Sequence, residues 1–273
     1  MITSQTLLKV EGISKTFIRK DASVAALKST TFQLRKGELL GVIGESGSGK
    51  STLLKLLTGI EVPTAGRVTL LGRDITQLQG SNAQYIYQNI QMVFQHPGAS
   101  FNPRQKMRTS IIENMKRLRP TMTKTACNQK IDSLLKRVKI LPELVDRYPH
   151  QLSGGQCQRI AIARALSVKP QILLCDEVTS ALDVLVQAQV IELLQELNKE
   201  LGIAIVFVSH DLSLTCKFCK QVMVMYQGQC IERGRVKTVI EEPKEAYTKN
   251  LLGLSSDLAT ALARRERYEN NKI

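Results

Sequence analysis

Eight consecutive residues, Gly44-Glu45-Ser46-Gly47-Ser48-Gly49-Lys50-Ser51, have the spacing G-x-x-x-x-G-K-S, and Thr52 follows them. The glycines let the backbone fold so that successive N–H groups point inward, which suits phosphate oxygens. The apolar run Leu39–Ile43 precedes the loop, and Ser51–Thr58 after it reads as a helix whose positive N-terminus faces the same anion. Lys50 can reach the β and γ phosphates of a nucleotide, and the Ser51 hydroxyl suits Mg²⁺. Glycine and serine also build ordinary turns. The Lys-Ser pair at this position, between a strand and a helix, weighs against that alternative. By itself the motif does not separate kinases, GTPases, motors and transporters.

A second group of chemical residues lies at Ile172-Leu173-Leu174-Cys175-Asp176-Glu177, an apolar strand ending in two acids. Open α/β sheets bind ligands at the carboxyl ends of their strands. Asp176 is therefore expected in the Mg²⁺ shell, and Glu177, pointing elsewhere, is expected to polarise an attacking water. Adjacent acids usually mark only a solvated turn; the buried strand and the phosphate loop reverse that expectation.

The elements that must position these groups are legible in outline. Leu7–Val10, Thr31–Leu34 and Ile90–Phe94 read as strands, and Pro63, Gly66 and Gly72 punctuate a hairpin region. From about Ser100 to Leu166 the chain is rich in helix formers, with Ile131, Leu134, Leu135 and Val138 at helical spacing. Strand signals return at Ile172–Cys175, Ile203–Val208, Val222–Tyr226 and Gln229–Glu232, with helical runs Val184–Glu200 and Leu212–Phe218 between the first three. This alternation predicts an α/β fold with a mainly parallel sheet. One large domain is expected over residues 1–253, with a helical subdomain at about 100–166 and a partly flexible tail at 254–273.

The chain has 273 residues, 43% hydrophobic, and a net charge of +14. No apolar run is long enough to span a bilayer, and no signal peptide is apparent, so a cytoplasmic protein is expected. The positive charge suits nucleic acid, anionic lipid or nucleotide phosphates, or is simply a solvated surface. Scarce aromatics and the absence of Trp argue against a base-stacking surface. The six cysteines are scattered; Cys216 and Cys219 form a lone C-x-x-C with no second ligand pair, and are read as two thiols on one helical turn.

Between the phosphate loop and the acidic pair lies Leu152-Ser153-Gly154-Gly155-Gln156, just ahead of the helical run Gln158–Leu166. With this segment the chain resembles the ABC transporter ATPases, over roughly residues 7 to 253. The resemblance implies a P-loop NTPase core, an N-terminal antiparallel β subdomain and an inserted α-helical subdomain. It implies that Leu152–Gln156 grips ATP held by an opposing subunit. Phe17 matches the aromatic that stacks on adenine. Gln95 matches the Q-loop residue that contacts Mg²⁺ and water, and Ser180-Ala181-Leu182-Asp183 matches the D-loop. His210 matches the switch histidine at the γ-phosphate, although a lone histidine after a strand is more often a structural cap.

A narrower resemblance is to the ATPases of oligopeptide, dipeptide and nickel importers, through Phe94–Arg104, Thr179–Val184, Val186-Gln187, Pro243 and Tyr247-Thr248. The short tail and the run Phe218–Met225 lean slightly towards the nickel type. The partners so implied are a second, distinct ATPase in a heterodimer, two transmembrane permeases and an extracytoplasmic solute-binding protein. The protein would lie peripherally on the cytoplasmic face of the inner membrane, with no nucleic acid bound. Val178, Cys157 and Leu185 depart from the family pattern at a usual proline, a basic residue and a small residue; none removes a phosphate or metal ligand. A soluble ABC ATPase acting on nucleic acid or ribosomes is the alternative. A non-hydrolysing regulatory subunit is disfavoured by the presence of Glu177 and His210.

Overall fold

The computed structural model describes residues 5–19, 22–77 and 81–253. The chain divides into two compact units, Met1–Leu78 with Ala204–Ile273, and Gln79–Ile203. The first unit opens with two long strands, β1 (Thr6–Arg19) and β2 (Ala22–Arg35), paired antiparallel with several register shifts. Both extend well beyond the short segments Leu7–Val10 and Thr31–Leu34 that the apolar pattern marks. Leu8, Val10, Ile13, Phe32 and Leu34 are buried, whereas the far end carries Ile18 at 86% exposure. Next come β3 (Leu39–Ile43), buried throughout, and α1 (Lys50–Leu57). The strands β4 (Ala65–Leu70) and β5 (Arg73–Asp74) then complete a four-stranded antiparallel sheet in the order β2-β1-β4-β5.

The second unit begins with α2 (Ser81–Asn89), a helix too polar to announce itself in the sequence, and β6 (Ile90–Val93). Three helices follow: α3 (Met107–Leu118), α4 (Lys124–Arg137) and α5 (Gly154–Leu166). On α4 the buried side chains are Cys127, Ile131, Leu134 and Leu135, the apolar stripe that the helical spacing predicts. Thr123 caps this helix by accepting the Ala126 N–H at 3.2 Å. Arg108 clamps Asp146 through two hydrogen bonds of 2.8 and 3.0 Å, which holds the Asp146 carboxyl below its usual range. The unit closes with β7 (Ile172–Asp176), paired parallel to β6, and α6 (Val184–Leu201).

The chain returns to the first unit with β8 (Ala204–Val208), α7 (Leu212–Phe218), β9 (Gln221–Tyr226) and β10 (Gln229–Arg235). In this unit β3 lies between β8 and β9 and runs parallel to both, and β10 is antiparallel to β9. Val206, Phe207, Met223 and Val224 are fully buried, as expected of parallel strands covered on both faces. Cys216 lies in α7, but Cys219 follows the last turn in extended backbone and not on it; both thiols are buried. Two helices, α8 (Val236–Glu241) and α9 (Ala246–Gly253), end the described chain.

Candidate functional site

In the first unit the phosphate loop leaves the carboxyl end of β3. The register pairs Val42 with Val208 on β8 and Ile43 with Val224 on β9. Gly44 and the Ser209-His210 turn therefore emerge from the same edge of paired parallel strands. Gly44 must be glycine: its φ is +149°, and a Cβ there would lie 2.2 Å from the Met225 carbonyl oxygen. Lys50 folds back into its own loop, only 6% exposed. Its ammonium donates to the Gly44 and Glu45 carbonyls at 2.7 Å each and to the Ser48 hydroxyl at 3.3 Å. The N-cap of α1 is Gly49, which has no side chain to accept a first-turn N–H, and the positive end of the helix faces the loop. Glu45, Ser46, Gly47 and Ser51 are exposed, Thr52 is half-buried, and Gly44, Ser48 and Gly49 are buried.

His210 is exposed. The cap of α7 is its neighbour: Asp211 accepts the Leu214 N–H at 2.9 Å, and Ser209 Oγ accepts the Asp211 N–H at 2.9 Å. Capping is thus accounted for without the histidine. Phe17 lies on β1 opposite Val24, half-buried, with the Lys15 ammonium 5.0 Å from its ring centroid.

In the second unit the same logic joins a different set. The register pairs Val93 with Cys175, so Phe94-Gln95 and Asp176-Glu177 leave adjacent parallel strands at one end. Glu177 adopts a left-handed φ of 47°, an uncommon conformation for a non-glycine residue. Its carbonyl is held by the Ser180 N–H at 3.1 Å and the Ser180 hydroxyl at 3.0 Å. Gln95 Nε2 donates to that same hydroxyl at 3.0 Å. Gln95, the acidic turn and Ser180 therefore form one hydrogen-bonded group. Ala181 and Leu182 continue the turn, and Leu182 N–H reaches the Thr179 carbonyl at 3.2 Å. Asp183 caps α6 by accepting the Val186 N–H at 3.0 Å. Burial, and then the Asp176 charge, push the Cys175 thiol far up.

Leu152–Gln156 is a capping box at the start of α5. Ser153 Oγ accepts the Gln156 N–H at 3.3 Å, and Gln156 Oε1 accepts the Ser153 N–H at 3.0 Å. Gly155 lets α5 approach α6, because a Cβ on it would sit 2.5 Å from Val186 Cγ1. The three departures from the family pattern have distinct fates. Val178 fills the core and Cys157 is buried, its thiol pushed up to about 11 by burial, while Leu185 stands 77% exposed.

Residues 27–180 match the family model described as ABC transporter. The chain belongs to the ABC transporter family. It is an ATP-binding and ATP-hydrolysing member. The oligopeptide transport ATP-binding protein OppF of Haemophilus influenzae is 40% identical over 244 residues, 89% of this chain and 74% of that protein. The dipeptide transport ATP-binding protein DppF of the same organism is 43% identical over 263 residues, 96% of this chain and 80% of that one. Among solved structures, a dimeric post-hydrolysis state of an ATP-binding cassette bound to ADP and Pi is similar with a TM-score of 0.77 at 28% identity, covering 84% of this chain and 99% of that one. Among the described residues of this ABC family member, no helix is long and apolar enough to cross a membrane.

The motifs account for most of the functional groups in sequence, but not for two links between them. Ser180 joins Gln95 to the Glu177 turn across 85 positions of sequence, and Tyr247 reaches Glu45 across 202. Neither link leaves a spacing pattern that sequence reasoning could use.

Proposed function

We propose that this chain is the ATP-hydrolysing subunit of an ABC importer for oligopeptides or dipeptides. The observation that supports it most is the phosphate loop at the end of β3, with Lys50 seated among its carbonyls at the start of α1. The peptide cargo is supported by the names of the relatives, which speak of oligopeptide and dipeptide transport and not of nickel. In this reading Gly44 to Thr52 bind the phosphates and Phe17 takes the adenine. Glu177 accepts a proton from the water that attacks the γ-phosphorus, while the bond to the β-γ bridging oxygen breaks and ADP and phosphate leave. His210 holds the γ-phosphate from the end of β8.

Mg²⁺ takes hard oxygen ligands, and each residue that would hold it offers one. Ser51 offers a hydroxyl and Asp176 a carboxylate, and Gln95, which donates through Nε2 to Ser180, keeps its amide oxygen as the ligand atom. The ion, when bound, supplies positive charge to the phosphate oxygens.

Leu152, Ser153, Gly154, Gly155 and Gln156 present the N-terminus of α5 to ATP on an opposing cassette, and Ser180–Asp183 communicate with that cassette. The dimeric ATP-binding cassette similar to this chain supports two such subunits together. We place a distinct second ATPase opposite this one, both carried on two permeases, with a solute-binding protein outside. The chain then lies peripherally at the cytoplasmic face of the membrane. The segment after Gln95, held where Arg164 donates to Ser100 O at 2.8 Å and Ser100 Oγ at 3.0 Å, would receive a short permease helix.

The test is affinity purification of the tagged protein from detergent-solubilised membranes, followed by labelled-peptide uptake in a strain lacking it. Two permeases and a second ATPase should co-purify, and peptide uptake should fall. Recovery without any permease, or undiminished peptide uptake, overturns the reading.

A further inference from the structure

One hydrogen bond joins the last described helix to the phosphate loop. The Glu45 N–H donates to the Tyr247 hydroxyl at 3.1 Å. The carbonyl of the same residue takes the Lys50 ammonium at 2.7 Å. The first limb of the loop is thus held from two sides, by its own lysine through a carbonyl and by α9 through an amide. Tyr247 is itself fixed. Its ring packs on Tyr226 at the end of β9, with centroids 4.2 Å apart and planes tilted by 32°. The start of α9 is tied to β10, where the Glu232 carboxylate accepts the Lys244 N–H at 3.0 Å and the Glu245 N–H at 3.3 Å. The strand β9 is the partner of β3, from which the loop emerges. The loop, the two tyrosines and the strands beneath them close a circuit within one unit.

We infer that Tyr247 is a positioning residue for the phosphate loop, its hydroxyl fixing Gly44-Glu45 in the arrangement from which Lys50 and the inner amides take up phosphates. This deepens the ATP-binding reading and rests on it. Glu45 is exposed, so water replaces the hydroxyl as partner for its N–H when the phenol oxygen is lost, and the fold loses little. What is lost is pre-organisation: an ordering cost that the folded protein had already met falls on nucleotide binding instead. Ground state and transition state use the loop alike, so the effect falls on KM and not on kcat.

The experiment uses the full chain and its Tyr247→Phe variant, with ATP as ligand. Nucleotide affinity, steady-state ATPase kinetics, and hydrogen exchange of the 44–50 and 245–253 peptides are all measured. In the variant, Kd and KM for ATP rise about three- to tenfold, the scale of one net hydrogen bond, with kcat within about twofold. Exchange in 44–50 quickens by a similar factor, and 245–253 stays protected, including the Lys249 N–H bonded to the Glu245 carbonyl. Unchanged affinity and unchanged exchange in 44–50 overturn the inference. So does faster exchange throughout 245–253, which would make Tyr247 a prop for its own helix. A wild-type chain that fails to bind ATP removes the nucleotide reading instead, and the exchange comparison then decides the contact alone.

Discussion

Replacing Gly155 by alanine tests whether this glycine serves the packing of α5 against α6. The new methyl would sit 2.5 Å from Val186 Cγ1 and 3.7 Å from Val186 Cβ and Cγ2. Carbon atoms settle at about 3.5–4.0 Å, so one contact is short by roughly 1 Å or more and the others are tolerable. Neither backbone yields freely. The Ser153–Gln156 box pins the start of α5, and the Asp183 cap pins Val186 N–H at 3.0 Å. The least costly relief turns Val186 about χ1 so that a hydrogen faces the methyl. A helical valine keeps one rotamer about 90% of the time, which sets that cost near 1 kcal/mol. If rotation is blocked, overpacking sets an upper bound of about 3 kcal/mol. Alanine returns part of this, at most about 1 kcal/mol, through its better helix propensity. A net loss of up to about 2 kcal/mol follows, or a Tm lower by up to about 8 °C for a chain of this size. Val186→Ala removes the offending methyl, so the Gly155→Ala, Val186→Ala double variant should recover at least half of the loss. Thermal and urea unfolding of the four proteins, with ATP turnover measured beside them, provide the assay. If the double variant shows only the sum of the two single effects, the packing argument is wrong. If stability returns in the double variant and turnover does not, the glycine serves an approach by something other than Val186.

Glu177→Gln should lower turnover by about 10²–10⁴-fold, the scale of a lost general base, with ATP affinity kept because Asp176 is untouched; phosphate release within tenfold of wild type removes Glu177 from that role. Ser153→Asp keeps an N-cap of equal strength, so Tm stays within about 2 °C, but it sets an anion where a hydroxyl should meet phosphate. Turnover should then fall at least about tenfold by that repulsion, with Ser153→Thr close to wild type; equal turnover in all three removes Ser153 from nucleotide contact. Burial raises the Cys157 thiol from 9.0 to about 11, so at pH 8 iodoacetamide should label it more slowly than half-buried Cys230, and peptide mapping showing the reverse order refutes this. The raised thiol also has a sign for stability: between about pH 9 and 11 the unfolded thiol ionises while the folded one does not, so this contribution falls as pH rises through that window.

What the sequence disclosed follows from where burial is two-sided. The strands β3, β7 and β8 are unbroken apolar runs because both faces are covered, and they are read almost to the residue. The hairpin of β1 and β2 is read short because only its inner end is buried. Its outer half carries Lys15, Thr16 and the exposed Ile18 and is held by cross-strand backbone hydrogen bonds, which no side-chain pattern records. The helix α2 is missed for a similar reason, since Asn82, Gln84, Gln88 and Asn89 dilute its apolar stripe. The motif residues of the site are legible by spacing, and their links are not. Ser180 reads as the first residue of the D-loop, but only the fold shows it tying Gln95 to the Glu177 carbonyl.

On the proposed reading, the motif residues divide their atoms between holding the fold and meeting the nucleotide. Ser153 spends a lone pair on the Gln156 N–H, which leaves its O–H proton to donate to a phosphate oxygen, so the cap need not open for the contact to form. Gln95 spends its amide nitrogen on Ser180 and keeps the oxygen for a cation. Lys50 cannot divide in this way. The ammonium already donates to Gly44 O, Glu45 O and Ser48 Oγ, and a phosphate has to draw it off at least one of them. The exchange is favourable because both partners of the new bond are charged, whereas the carbonyl and hydroxyl acceptors it replaces are neutral. On that reading nucleotide affinity is the difference between two ways of satisfying one buried lysine.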